Sequence, residues 1–148
     1  MVMLAERVGS VDEHIVLRVI IRLIVPFILL YALYLQLHGE YSPGGGFQAG
    51  VIAASAIIAY GLIKGIDSAL EVLPLQFVKI GSALGVLLFA GTGILTMLLG
   101  GKFLEYGVLA LDPVLGQTIG IIVIELGVGL TVFSVVMIIF YTFGLRST

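Results

Sequence analysis

Four long apolar stretches, joined by short polar or glycine-rich connections, limit what this chain can fold into more than any other feature. They cover about residues 15–37, 47–64, 77–99 and 116–143. A helix needs about 20 predominantly apolar residues to cross a bilayer, so each stretch is long enough for one crossing. We therefore expect an all-α integral membrane protein with four transmembrane helices, folded as a single membrane domain over residues 1–148.

The composition excludes most soluble functions. Hydrophobic residues make up 60% of the chain and charged residues only 11%, whereas a soluble domain carries about 25% charged residues. The four stretches and their short connections use nearly all of the 148 residues, so little is left for a soluble domain. The formal net charge of −2 and the scattered lysines and arginines form no basic surface, so we expect no nucleic-acid partner.

Side chains for catalysis or metal binding are scarce. The chain has no cysteine, which excludes disulfides, thiolate metal sites and iron–sulfur clusters held by this chain. The two histidines, His14 and His38, have no partners at the spacing of metal ligands, and no Ser/His/Asp set stands out. We therefore expect no catalytic residue, no metal and no cofactor in this chain. By itself it should not be an enzyme, and any redox centre would belong to another subunit.

The N-terminal segment carries a helix-start signal. Ser10 and Glu13 have the spacing of a capping box, in which the serine caps the helix and the glutamate reaches back. This spacing predicts that the first helix begins at Ser10. The apolar stretch behind it is too long for the core of a signal peptide, so we expect the segment to be retained.

A tight glycine-rich segment, residues 42–50, precedes the second apolar stretch, and we call it the glycine corner. Its defining residues are Ser42, Pro43, Gly44, Gly45, Gly46, Phe47 and Gln48. Pro43 fixes its own φ, while the glycines can adopt backbone conformations that other residues avoid. Because a helix follows, free amides at its N-terminus would favour an anion. The alternative, which we prefer, is that the glycines let another helix or subunit come close.

Small residues recur at four-residue spacing in the apolar stretches. Gly81 and Gly85 form one such pair, Gly116 and Gly120 another, and Gly50 is followed by Ala54. Small residues at this spacing allow the backbones of membrane helices to approach closely. The pattern predicts tight packing of the second, third and fourth spans.

Glu125 is the ionisable residue that lies deepest in an apolar stretch. No lysine or arginine occurs between Asp112 and Arg146, while Thr118, seven residues earlier, and Gly129, four residues later, share its helical face. An ionisable residue within a membrane span is by default a candidate functional group. We interpret Glu125 as a protonatable or cation-binding group. The alternative is a neutral carboxyl that hydrogen-bonds across a helix interface for structure alone.

The distribution of positive charge predicts the orientation. With four crossings both termini lie on one side, together with Arg7, Lys64, Lys79 and Arg146, whereas the other side has only Lys102. Cytoplasmic loops of membrane proteins are enriched in lysine and arginine. We therefore expect both termini to be cytoplasmic, with the glycine corner facing outward and Glu125 in the outer half of the membrane.

Two stretches of the sequence resemble a known family. They are His38-Gly-Glu-Tyr-Ser-Pro-Gly-Gly-Gly-Phe-Gln-Ala-Gly50 and Gly120-Ile-Ile-Val-Ile-Glu-Leu-Gly-Val-Gly-Leu-Thr131. They resemble the MnhB/MrpB-type subunit of the multisubunit cation/proton antiporters of the Mrp (Mnh) type, in which a His-Gly and a Ser-Pro-Gly-Gly-Gly-Phe follow the first helix. The family has a later glutamate in an Ile-Glu-Leu-Gly-Val-Gly-like run, which here contains Gly127 and Gly129. The likeness covers about residues 16–143.

The resemblance implies a small, non-catalytic subunit of a hetero-oligomer in a prokaryotic cell membrane. Its partners would be the other membrane subunits of an Mrp-type module, with Na⁺ and H⁺ as the transported ions. Related modules occur in archaeal membrane-bound hydrogenases and sulfur-reducing complexes, so a redox arm is a further partner that the resemblance allows. We assign Glu125, with Thr118 and His38, to an ion path, and the glycine corner with Gly127 and Gly129 to packing and family identity.

Two other hypotheses remain open. The chain length also fits a stand-alone, four-helix, proton-coupled exporter that acts as a homodimer. Such exporters place their acid in the first span among Trp and Tyr, whereas here the acid lies in the last span and tryptophan is absent. A pure scaffold is the third hypothesis, and only a test of Glu125 separates it from an ion-path subunit.

Overall fold

The computed structural model describes residues 2–39 and 45–146, and side chains from residue 15 onward within these ranges. Its helices are α1 (Val2–Leu37), α2 (Gly45–Lys64), α3 (Ile66–Val72), α4 (Leu75–Leu98) and α5 (Pro113–Arg146), with a short 3₁₀ helix at Tyr106–Leu109. The described residues contain no strand. Four segments are long and apolar enough to cross a membrane, which confirms the predicted all-α class with four spans: Ile15–Leu37, Gly45–Lys64, Leu75–Leu98 and Pro113–Arg146.

The start of α1 differs from the prediction. The helix begins at Val2, so Ser10 and Glu13 lie inside it and the predicted helix start at Ser10 is wrong. The residues ahead of Ser10 include the good helix formers Leu4, Ala5 and Arg7, and no proline interrupts them. A capping box opens a helix only where the backbone before it leaves the helical conformation.

Helix α5 is the centre of the arrangement. It packs against α2 on one side and α4 on the other, and α1 packs mainly against α2. Gly46 of α2 meets Glu125, and Gly61, four turns further along α2, meets Phe140 of α5. The two helices are therefore parallel, while α1 and α4 run the other way.

Helices α4 and α5 meet along a line of small residues that we call the α4–α5 seam: Gly81, Gly85, Gly127, Thr131 and Ser134. A Cβ atom placed on Gly85 would lie 2.6 Å from the carbonyl oxygen of Gly127 and 2.8 Å from the backbone nitrogen of Thr131. These are backbone atoms, which have little freedom to move aside. The four-residue glycine spacing on α4 thus serves close helix packing.

The second glycine pair, Gly116 and Gly120, packs against the connection between α4 and α5 and not against another helix. A Cβ on Gly116 would lie 2.6 Å from the carbonyl oxygen of Tyr106, and the Tyr106 side chain lies against Gly120. Burial raises the pKa of the Tyr106 phenol. The carboxylate of Asp112 accepts a hydrogen bond from the Val114 amide at 3.1 Å, which caps α5 next to its initial proline.

The opposite end of α5 is fixed by a buried tyrosine. The Tyr141 hydroxyl lies 2.9 Å from the carbonyl oxygen of Leu73 and 3.1 Å from that of Ala69, and it can donate to either. Ala69 belongs to α3, and Leu73 is the residue that directly follows it. A buried cluster of Ala54, Ala69, Val78, Met137 and Tyr141 surrounds this contact. These contacts fix the C-terminal ends of α2 and α5 and the N-terminal end of α4 at the same depth.

Candidate functional site

The carboxyl group of Glu125 lies between the last residue described after α1 and the first residue of α2. A Cβ atom on Gly39 would fall on this carboxyl group, and a Cβ on Gly45 would lie 2.7 Å from its Cδ atom. Neither position can therefore hold a side chain without displacing the carboxyl. The absence of side chains at these two glycines makes room for the functional group of a third residue.

Just below the carboxyl, the backbones of α2 and α5 touch. A Cβ on Gly46 would lie 2.9 Å from the carbonyl carbon of Glu125 and 3.0 Å from the nitrogen of Gly129. One turn further, a Cβ on Gly50 would lie 2.6 Å from the carbonyl oxygen of Gly129. This crossing fixes the height of Glu125 relative to the start of α2.

The start of α2 also provides an electrostatic environment for Glu125. The helix begins at Gly45, so its first amides have no acceptor inside the helix. The N-terminus of a helix carries a partial positive charge, which interacts favourably with a carboxylate. The anion that these amides would favour can thus be the chain's own carboxylate, while Gly46 also makes the close helix approach that we preferred as the role of the glycine corner. The end of the glycine corner and Glu125, which lie some eighty residues apart in the sequence, thus meet in one site.

His38 and Gln36 lie at the end of α1 beside this site. The His38 imidazole stacks on the Tyr34 ring, with centroids 4.3 Å apart and planes inclined by 28°. The side-chain oxygen of Gln36 faces Gly129, and its Nε2 atom is buried with no hydrogen-bond partner in the described part of the chain. The sequence analysis missed Gln36. The available signal was an amide in the last turn of α1, after a long run of apolar residues.

The other predicted residues lie around this site or apart from it. Thr118 shares the face of Glu125 but lies about 10 Å from it towards the N-terminal end of α5, given a rise of about 1.5 Å per residue. Gly127 faces α4, where a Cβ would lie 3.0 Å from the carbonyl oxygen of Gly85. Phe47 and Gln48 are exposed on α2, so they do not pack within the described part of the chain. Ser42, Pro43 and Gly44 lie outside the described residues.

An apolar cleft of 310 Å³ adjoins the site between α1, α2 and α5. Leu29, Leu33, Ala53 and Phe133 are among its lining residues, and Gln36 is its polar side chain. Apolar cavities tend to stay dry. The cleft is therefore a poor route for water or ions towards Glu125.

The chemistry that the site permits follows from its donor set. Among the side chains that the structure describes, in residues 15–39 and 45–146, no group of three or more His, Cys, Asp or Glu is placed to hold a metal ion. A single intramembrane carboxylate can bind and release a proton or a monovalent cation. It cannot build the many-ligand cage that a divalent cation prefers.

Four helices long and apolar enough to span a membrane, one of which carries a carboxyl group where it meets α1 and α2, define a small multi-pass membrane protein. Residues 16–138 match the family model described as a domain related to the MnhB subunit of a Na⁺/H⁺ antiporter. The chain therefore belongs to the MnhB family, as the two sequence motifs indicated.

Individual relatives agree with this family assignment. The chain is 34% identical over 136 residues to the B-type subunit of the Na⁺/H⁺ antiporter of Bacillus subtilis (strain 168), covering 89% of this chain and 94% of the relative. It is 36% identical over 131 residues to a protein of Staphylococcus aureus (strain Newman) whose assigned name is antiporter subunit mnhB2, covering 86% and 90%. Four apolar helices and bacterial relatives identify a multi-pass protein of a prokaryotic plasma membrane.

Proposed function

We propose that this chain is a non-catalytic membrane subunit of a multisubunit Na⁺/H⁺ antiporter, and that Glu125 takes part in its ion path. Family membership supports the first statement. One observation carries the second: the Glu125 carboxyl lies against Gly39 and Gly45, which belong to the family motif. Two glycines of the motif therefore lie against the ionisable group of the last span.

The physical role of this site is to hold one exchangeable charge within the membrane. The start of α2 favours the ionised carboxylate, and a proton or Na⁺ that binds there neutralises it. The side-chain-free surfaces of Gly39 and Gly45 leave the carboxyl close to backbone groups on both sides. His38, at the end of α1, is the second ionisable side chain near the site and would face the same ions.

The partners would be the other membrane subunits of the antiporter. Helix α1 offers them a large surface, because only Ile21 and Ala32 are buried among its described side chains. The other subunits would carry the main transport machinery, since this chain contributes one intramembrane carboxyl group. A hydrogenase or sulfur-reductase arm defines a second kind of assembly in which the same subunit would act in the same way. We favour the antiporter because the relatives bear that name.

The exporter hypothesis is the weaker alternative. Both relatives described above are named as antiporter subunits and are covered over at least 90% of their length. The acid lies in the last span, and the chain has no tryptophan to surround an aromatic cation. No feature of the described structure favours a homodimer.

The substitution Glu125→Gln tests the role of the carboxyl group, because it keeps the size and removes the ionisable oxygen. We expect Na⁺-driven proton exchange by the whole complex in sealed vesicles to fall by about tenfold or more while the complex still assembles. Glu71→Gln is the matched control, because Glu71 is exposed on α3. Exchange equal to that of the unaltered complex would exclude an ion-path role. Loss of the subunit from the purified complex would instead indicate a structural hydrogen bond.

A further inference from the structure

Helices α1 and α2 stop part of the way along α5. Gly39, just after α1, and Gly45, the first residue of α2, both lie at the level of the Glu125 carboxyl. From this level α5 continues to Pro113, which is about 18 Å further along the helix axis. Helix α4 likewise continues from Gly85, which touches Gly127, to Leu98, a distance of about 20 Å.

At the other end the helices finish close together. Gly61 of α2 meets Phe140, and Val78 of α4 lies in one buried cluster with Met137 and Tyr141 of α5. The difference in length is therefore confined to the end at which Glu125 lies. A bilayer core of about 30 Å that contains most of α4 places the start of α2 below the membrane surface.

Within residues 2–39 and 45–146, this difference leaves one face of α5 without a helix beside it. Thr118 and Glu125 lie on this face, two turns apart, with Ile122 between them. Ile122 has 45% of its surface exposed, and Thr118 is partly exposed. The connection from Lys102 to Asp112 does not cover this face, because it packs on Gly116 and Gly120 on the opposite side of α5.

The other directions around Glu125 that the described residues line offer no polar path. The backbone contact between Gly46 and Gly129 blocks the path along α5 towards Arg146. The α4–α5 seam is tightly packed, and the cleft between α1, α2 and α5 is apolar. The uncovered face beside Thr118 is therefore the open direction in the described part of the chain.

We propose that a water-filled recess runs from the membrane surface at the Lys102–Asp112 end, along Thr118, to Glu125. The inference rests on the proposed role of Glu125, for which it supplies the access route of Na⁺ and protons. The Thr118 hydroxyl both donates and accepts hydrogen bonds, so it can hold water or replace part of the hydration of a monovalent cation. Ionisable residues inside membranes commonly face such water-filled cavities.

Single cysteines test the recess directly, because the chain contains none of its own. Thr118→Cys is the reporter, and Ile119→Cys is the matched control at the same depth, since Ile119 is 42% exposed on a different face of α5. Leu111→Cys, fully exposed in the connection, and Asp67→Cys, exposed on α3, identify the two sides of the membrane. The whole antiporter complex in sealed vesicles of both orientations is treated with a membrane-impermeant maleimide.

We expect Thr118→Cys to react from the side that labels Leu111→Cys, and about tenfold faster than Ile119→Cys, because the nucleophile that adds to a maleimide is the thiolate, which forms where water solvates it. The attached group should also lower antiport relative to the same variant before labelling. Resistance of Thr118→Cys to the impermeant reagent overturns the recess. Reaction with a permeant maleimide alone would then indicate a lipid-facing position, and no reaction with either would indicate cover by a neighbouring subunit.

The labelling result is independent of the Glu125→Gln result. Labelled Thr118→Cys with full antiport in Glu125→Gln would keep the recess and remove the carboxyl from the ion path. Unlabelled Thr118→Cys with inactive Glu125→Gln would keep the ion path and remove this access route. Labelling of Leu111→Cys from outside the cell and of Asp67→Cys from inside would also establish the predicted orientation.

Discussion

Helix α5 is approached closely on two sides, and the two contacts differ in what the glycines accommodate. On the α4 side, a Cβ on Gly85 would meet the backbone atoms of Gly127 and Thr131 at 2.6 and 2.8 Å. On the α2 side, a Cβ on Gly45 would meet the end of a flexible side chain, the carboxyl of Glu125. Glycine therefore signals a close approach in both places. Only the second makes room for a functional group.

The largest effect should come from Gly85→Ala, because neither backbone at the α4–α5 seam can yield to a new methyl group. Overpacking of this kind costs about 1–3 kcal/mol. We expect less subunit in the purified complex and a lower temperature of thermal unfolding. Adding Thr131→Ala should not restore either, because the clash with the Gly127 carbonyl and the Thr131 nitrogen remains.

Gly91→Ala is the control on the same helix. A Cβ at Gly91 would have no atom within 4 Å in the described structure, so nothing opposes it. Alanine is more favourable than glycine inside a helix by about 0.5–1 kcal/mol, so this variant should be as stable as the unaltered chain or slightly more stable. Equal behaviour of Gly85→Ala and Gly91→Ala would show that the seam does not require contact between backbones.

The contrast between the two contacts also shows what the sequence could predict. The number of spans follows from the apolar runs, and Glu125 is conspicuous as a carboxylate within one of them. Which spans pack together cannot be predicted from the sequence. Helix α2 meets α5 across about eighty intervening residues, and the spacing of small residues does not indicate which helix packs on them. Gly81 with Gly85 and Gly116 with Gly120 have the same spacing, yet one pair receives a helix and the other a connection.

Gly45→Ala should have the next largest effect, and on transport more than on assembly. The added methyl group displaces the Glu125 carboxyl, which can rotate away, so the complex should assemble while antiport falls by about three- to tenfold. Glu125→Asp shortens the side chain by one methylene and restores room for that methyl group. We expect the double variant to exchange Na⁺ and H⁺ faster than Gly45→Ala alone.

Antiport and subunit content are measured as a double-mutant cycle. The four complexes contain the unaltered chain, Gly45→Ala, Glu125→Asp or the double variant. Coupling between Gly45 and Glu125 is expected because the two groups are in contact. If the fold-loss of antiport in the double variant equals the product of the losses in the two single variants, Gly45 acts on the backbone of α2 and not on the carboxyl. A steric repair of this kind should fail at the α4–α5 seam, which makes the cycle a direct test of the difference between the two contacts.

The smallest effect should come from Ser134→Ala, which asks whether the α4–α5 seam has any polar role. The Ser134 hydroxyl is buried with no hydrogen-bond partner in the described part of the chain, next to Gly81. A buried hydroxyl without a partner is costly, so its removal should leave stability unchanged or raise it by up to about 1 kcal/mol, with antiport unaltered. Ser82→Ala, whose hydroxyl donates to the Lys79 carbonyl oxygen at 2.8 Å, is the control. A fall in antiport for Ser134→Ala alone would mean that water or a proton uses this side of α5 as well, and the division between a packing side and an ion-path side would no longer hold.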